Sequence, residues 1–319
     1  MLPNSRPSSV ALSLLSCVLL SGCAGGWVSL QSPASCEQLS GVVVPASEIS
    51  IPTRGATVVT STTMPGGGTG PKAFGEYCLV AGEISPVDAS APKVKFQLAL
   101  PSTWNYKTLM LGGGGYDGSV PNVVGNVPAG PADQLLPIGR GYAVFGSDSG
   151  HEGLNNQGAF GLNAEALRNF SFEALKKTRD AAMYLVEKRY AERPSRNYFA
   201  GGSTGGREAL AFAQRWPKDM DGVIVLYPAF NAAALDLQFG RMTRALAVAG
   251  AYPNLAKRKA LLDASLQACD AADGVVDGLI SDQATCNATF DPATAALNGR
   301  PVFGYPVASG ETGYPGFNT

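Results

Sequence analysis

Ser203 stands in Gly201-Gly202-Ser203-Thr204-Gly205, a match to G-x-S-x-G. A serine between spaced glycines suits a nucleophile elbow, in which a cramped bend lifts the hydroxyl above a sheet. The pattern is short, so its flanks decide its weight. Residues 198–200 read as a strand before it, and residues from 207 to 216 read as a helix after it. The start of that helix brings backbone N–H groups and a positive dipole end beside the serine, which suits a developing oxyanion. A second glycine run, Gly112-Gly113-Gly114-Gly115, follows an apolar run at residues 108–111. A hydrolase sheet draws its second oxyanion donor from that place, so Gly114 pairs with the Thr204 N–H. The competing readings are an anion-cradling turn around Ser203 and a phosphate loop at the four glycines. The chain has no G-x-x-x-x-G-K-[ST] and no G-x-G-x-x-G feeding directly into a helix.

A serine hydroxyl at neutral pH needs a base within about 2.6–3.2 Å. His151 is the one histidine in the chain, in Ser147-Asp148-Ser149-Gly150-His151 just past a strand. It precedes Ser203, whereas this fold places its histidine after the serine. His151 is therefore read as a hydrogen-bonded loop residue near the pocket and not as the base.

The elements that must hold these residues follow from periodicity. Residues 94–100 alternate like a strand, residues 108–111 and 142–146 are short buried strands, and residues 223–226 form another, closed by Pro228. Residues 172–190 carry apolar side chains at helical spacing, with Ser171 as the expected N-cap. Strands alternating with helices predict an α/β fold on a parallel sheet. Residues 24–70 read as a loose lead-in with edge strands at 41–44 and 56–60. Beyond Pro228 the strand rhythm stops, residues 229–262 look helical, and the tail from 295 to 319 is rich in Gly and Pro. The expected division is 1–23 signal, 24–230 core and 231–319 part of an inserted lid.

Across 319 residues, 45% are hydrophobic and 15% charged, which describes a globular chain, and a net charge of −1 with no basic stripe excludes a nucleic-acid partner. The first residues carry Arg6, an apolar run at 10–20 and Leu20-Ser21-Gly22-Cys23. That run is too short to span a bilayer and reads as a signal peptide. Small residues before Cys23 resemble a bacterial lipobox. The expectation is an exported lipoprotein, periplasmic or outer-membrane-anchored, touching the membrane only through a lipid on Cys23. Setting aside Cys17 and Cys23 leaves Cys36, Cys78, Cys269 and Cys286. An even count in an exported chain favours disulfides, and no C-x2-C spacing supports a zinc site. Of three connectivities, Cys36–Cys78 with Cys269–Cys286 is the most local.

Several blocks together resemble the tannase/feruloyl esterase family of α/β-hydrolases. They are Asn197-Tyr-Phe-Ala-Gly-Gly-Ser203-Thr-Gly-Gly-Arg-Glu208, Trp216-Pro217, Asp221-Gly222, Tyr227-Pro228-Ala229, Gly112-Gly-Gly-Gly-Tyr-Asp-Gly118 and Gly141-Tyr-Ala-Val-Phe-Gly-Ser-Asp-Ser-Gly-His151. The resemblance runs from about Cys36 to Asp282. It implies a hydrolase core with a large lid, a small-molecule aromatic ester as substrate, Ser203 as nucleophile, and Gly114 and Thr204 as oxyanion donors. It also implies a structural calcium in Cys269-Asp270-Ala-Ala-Asp273-Gly274-Val275-Val-Asp277-Gly278-Leu279, bound by Asp270, Asp273, Asp277 and the carbonyls of Val275 and Leu279. A turn rich in oxygen donors suits such a hard cation, although the spacing is not that of an EF-hand.

Two departures stand out. The family usually has a cysteine immediately before the nucleophile, bonded to another beside the catalytic histidine; here that place is Gly202. The family's catalytic Asp and His lie in a C-terminal stretch beyond residue 319. The expectation is a truncated serine esterase with little or no turnover. The alternative from another class is a non-catalytic lipoprotein that binds aromatic ligands on the same scaffold.

Overall fold

The computed structural model describes residues 32–153, 158–249, 251–292, 294, 296–297 and 300–301. The signal segment and Cys23 lie outside the described residues. Eight strands form one sheet: β1 (Val43–Val44), β2 (Ala56–Met64), β3 (Tyr77–Ile84), β4 (Val94–Pro101), β5 (Lys107–Leu111), β6 (Ala143–Ser147), β7 (Arg196–Gly202) and β8 (Gly222–Leu226). Their order is β1-β2-β3-β4-β6-β5-β7-β8. The first four pair antiparallel, as does β4 with β6, while β6, β5, β7 and β8 run parallel. The sheet is thus mixed, within an α/β fold whose parallel half was the legible part.

Burial explains the strand sequences. Every residue of Thr108–Leu111 on β5 is buried, because β5 lies inside the sheet between β6 and β7. Strand β8, expected to be buried, is instead an edge strand with no buried residue and with Ile224 half exposed. Met110 joins Phe96, Phe145, Phe199 and Leu185 in one core, whereas Leu109 and Leu111 face Val144, Ala200 and Val123 in the other. β3 alternates buried and half-buried residues, which makes it the central antiparallel strand that lies between β2 and β4.

Helices α1 (Ala164–Arg168) and α2 (Ala174–Tyr190) are joined without a break by a π-helical turn, Asn169–Glu173. This corrects the expected start of the helix. Asn163 is the N-cap, accepting from the N–H groups of Glu165 and Ala166 at 2.9 Å each. Ser171 lies inside the helical run and its hydroxyl donates to the Leu167 carbonyl at 2.7 Å. Helix α3 (Thr204–Arg215) connects β7 to β8, and α4 (Ala232–Leu246), α5 (Leu255–Cys269) and α6 (Gln283–Thr289) follow the sheet. No residue of α4 is buried. None of the described helices is long and apolar enough to cross a membrane.

Both disulfides take the most local pairing. Cys36–Cys78 ties the N-terminal turn to β3 at a Cα separation of 5.5 Å, and Cys269–Cys286 ties α5 to α6 at 5.2 Å.

Candidate active site

The parallel strands end on one edge of the sheet, and the residues that follow them there are Gly112, Asp148, Ser203 and Tyr227. Open α/β sheets bind ligands at such carboxyl ends. Ser203 has φ 58° and ψ −121°, a conformation that a non-glycine residue occupies only when its surroundings force it. Its N–H donates to the Leu226 carbonyl at 3.1 Å, and its own carbonyl accepts from the Arg207 and Ala229 N–H groups. The backbone at the bend is therefore held from β8 and from α3, while the side chain stays exposed.

The glycines around Ser203 are a packing requirement. A Cβ on Gly201 would come 2.1 Å from the Gly205 carbonyl oxygen, and one on Gly112 would come 2.6 Å from the Gly205 Cα. The end of β5, the end of β7 and the first turn of α3 are thus in backbone contact. Gly205 N–H donates to the Gly113 carbonyl at 3.1 Å, and the Thr204 hydroxyl donates to the Gly115 carbonyl. These two bonds bracket Gly114 and lay its loop over the start of α3. Gly114 is exposed, with nothing within 4 Å of where a Cβ would stand. Thr204, as the first helical residue, has one of the N–H groups that a helix start leaves without an intrahelical partner. Ser203, Thr204 and Gly114 are therefore brought together.

Gly202 lies against the side chain of Tyr227. A Cβ there would lie 2.7 Å from three atoms of the Tyr227 ring, including its hydroxyl oxygen. Tyr227 itself has φ 31°. Its ring fills the space that a side chain at 202 would need.

His151 is buried and does not reach Ser203. Its ring stacks on Phe160 with centroids 3.7 Å apart, and neither ring nitrogen has a well-formed hydrogen bond among the described residues. Burial holds its pKa below the ordinary value, an effect the neighbouring Tyr116 backbone opposes. Among the described residues the expected loop hydrogen bond is reduced to the Tyr116 backbone contact.

Polar residues that sequence reasoning did not single out lie beneath the glycine loop. Asp117, Ser149 and Glu208 are all buried, and Gly113 N–H donates to Glu208 Oε2 at 3.1 Å. On α3, Arg207 donates to the Ser171 and Phe170 carbonyls at 3.1 and 3.2 Å, and its guanidinium lies 4.6 Å from the Phe170 ring centroid. It thereby joins the π turn to the helix that begins at the elbow.

Asp148 is a third buried acid, accepting from the Lys95 and Gly150 N–H groups at 3.0 and 2.8 Å. Its other oxygen has no partner, and burial raises its pKa to about 7. A carboxyl raised this way binds its proton more tightly folded than unfolded. Its contribution is full below the ordinary carboxylate range and is lost as pH rises toward about 7. Urea unfolding of Asp148→Asn should show a flatter stability profile than wild type between about pH 4.5 and pH 7.5. An unchanged slope would refute this reading of Asp148.

In the acidic turn, Asp270 is buried and accepts from Asp277 N–H at 3.3 Å and Gly278 N–H at 3.1 Å. Asp273 accepts from Val275 and Ser281, and Asp277 accepts from Leu279. The donors are all oxygen, as a hard cation requires, yet each carboxylate is engaged by the loop's own N–H groups. Among the described residues no three His, Cys, Asp or Glu side chains converge to hold a metal.

Comparison with known proteins completes the description. The profile of the family described as tannase and feruloyl esterase matches residues 78–302. An uncharacterized esterase of Agrobacterium fabrum is 41% identical over 258 residues, covering 79% of this chain and 46% of the relative. Mono(2-hydroxyethyl) terephthalate hydrolase of Piscinibacter sakaiensis is 30% identical over 246 residues, covering 70% of this chain and 40% of the relative. The crystal structure of feruloyl esterase B from Aspergillus oryzae superposes with a TM-score of 0.61 at 26% identity, covering 81% of this chain and 49% of that one. The chain spans about half the length of the relatives it matches. On the extent of the profile match, the chain belongs to the tannase and feruloyl esterase family.

Proposed function

We propose that Ser203 is the nucleophile of a carboxylic ester hydrolase acting on esters of aromatic acids. The observation that carries this reading is the strained, exposed Ser203 at a strand-to-helix bend, with the carbonyls of Gly113 and Gly115 bonded to the start of the same helix. Ser203 Oγ attacks the ester carbonyl, and the N–H groups of Gly114 and Thr204 receive the oxyanion. Collapse expels the alcohol and leaves an acyl-enzyme, which water then cleaves. The names of two relatives, a terephthalate monoester hydrolase and a feruloyl esterase, both specify an ester of an aromatic acid.

His151 is the sole histidine in the sequence, and its ring stacks on Phe160 without a hydrogen bond to Ser203, so it is not proposed as the base. Oxyanion donors and binding alone sustain about 10³–10⁴-fold catalysis over water. The test is a fluorophosphonate probe followed by peptide mass spectrometry. Labelling at Ser203 is expected, though slow; label on another residue, or none after prolonged exposure, would sink the assignment.

Under the same proposal, residues 24–230 form the hydrolase core, residues 231–319 belong to a lid, and the chain is exported with a lipid on Cys23. Calcium is proposed as a structural ion of the acidic turn, held by Asp270, Asp273, Asp277 and the carbonyls of Val275 and Leu279, with no part in the chemistry. Chelation should then lower the melting temperature by a few degrees and added calcium restore it, with Asp273→Asn insensitive to both. A wild-type melting temperature indifferent to calcium would remove the ion from the proposal.

A further inference from the structure

The three buried residues beneath the glycine loop contain a proton that geometry alone can count. Ser149 Oγ lies 2.5 Å from Asp117 Oδ2 and 2.8 Å from Glu208 Oε1. A hydroxyl has one proton and can donate to one of these oxygens only. The second contact is a hydrogen bond only if that carboxyl is itself protonated and donates to Ser149 Oγ. Glu208 also accepts the Gly113 N–H, as a carboxylate does well, so the proton belongs on Asp117. The chain of donors then runs from Asp117 to Ser149, from Ser149 to Glu208, and from the Gly113 amide to Glu208. Asp117 and Ser149 both have left-handed backbones, at φ 54° and 63°, so the fold accepts strain at two non-glycine positions to aim these side chains inward.

We propose that Asp117, Ser149 and Glu208 form a proton-sharing clamp that fixes the Gly112–Gly115 loop against helix α3. Asp117 and Glu208 are then positioning residues for the Gly114 amide; this service to the oxyanion rests on the esterase reading above, whereas the clamp itself does not. Asp117 is raised well above its usual range, by burial first and by the Glu208 charge second, while Ser149 and Arg207 oppose the shift. The other charged or titratable groups nearby are turned elsewhere or neutral. Asp148 directs its carboxylate to the Lys95 and Gly150 amides, the His151 ring rests against Gly118, and the Tyr116 hydroxyl faces Asp236 on α4. Loss of the shared proton places two carboxylates around one hydroxyl and releases the loop.

Hydrogen exchange of the peptide covering residues 112–117, corrected for intrinsic rates from about pH 5 to pH 9, reads the clamp directly. Wild type and Asp148→Asn should both lose at least roughly tenfold protection across one ionisation step, which separates the clamp from the titration of Asp148 at about 7. Asp117→Asn donates permanently to Ser149, so it should keep its protection at every pH, whereas Asp117→Ala should lack protection throughout. No step in wild type, or an Asp117→Asn variant as unprotected as Asp117→Ala, overturns the proposal. If the variants do not fold, the side-chain carboxyl resonance of Asp117 in labelled wild type decides: a protonated group at pH 6 supports the clamp, and an ionised one overturns it. Ser203 labelling keeps the two claims apart. A step without labelling leaves the clamp and removes the esterase reading, while labelling without a step does the reverse.

Discussion

Ser203→Ala is expected to eliminate every covalent adduct of this chain with activated esters or phosphonates. With a complete triad, loss of the serine costs about 10⁶ in kcat, and oxyanion donors alone sustain about 10³–10⁴ over water. Under the proposed mechanism the two regimes separate cleanly. Acyl-enzyme formation needs the Oγ and stops altogether, while any direct attack by water near Gly114 and Thr204 continues. Intact-mass spectrometry after mixing with a p-nitrophenyl ester checks this. Wild type should gain one acyl group, and the variant none. Equal acylation of the two proteins would show that another nucleophile reacts and that the strained bend serves some other purpose.

The largest expected effect on stability comes from one methyl group. Gly201→Ala would place a Cβ 2.1 Å from the Gly205 carbonyl oxygen and 2.3 Å from its carbon, and both are backbone atoms with no rotamer to escape into. Overpacking a tight interior costs about 1–3 kcal/mol and sometimes more, and this contact belongs at the upper end. At about 2.1 cal/mol/K of unfolding entropy per residue, about 3 kcal/mol corresponds to a drop of roughly 4–5 °C in melting temperature. Gly114→Ala is the internal control. Open space surrounds that position, so its stability should stay within about 0.5 kcal/mol of wild type. If Gly201→Ala melts with wild type, the contact between β7 and α3 is looser than described, and the geometric case for the elbow weakens with it.

The legible parts of the molecule were those in which one local rule sufficed. The runs that became β5 and β6 are short and largely apolar because they lie inside the sheet, while the equally apolar run of β8 lies at its edge with Ile224 half exposed. Gly201 and Gly205 were readable because a strand turning straight into a helix demands glycine at both ends of the bend. β3 was not identified, although Tyr77–Ile84 alternates, because it follows a stretch rich in Gly, Ser and Thr that reads as lead-in. Ser171 looked like a cap because the π turn widens the helix there, and the apolar spacing breaks across it. Asp117, Ser149 and Glu208 are far apart in sequence and share no period; only the packing of three segments brings their side chains to one hydroxyl. The acidic turn shows the opposite difficulty. Its carboxylates are evident in sequence, yet the sequence does not say that backbone N–H groups engage each of them.

The meeting of Gly202 and Tyr227 bears on the redox life of the protein. Where a sulfur bridge anchors the residue before a nucleophile, the reactive bend shares its fate with the thiol balance of the surroundings. Here an aromatic ring fills that space, and the two bridges lie elsewhere, on β3 and between α5 and α6. A reductant is therefore expected to loosen the N-terminal turn on β3 and the α5–α6 pair before the bend, so oxidative conditions bear on how long the molecule lasts more than on how its serine is posed.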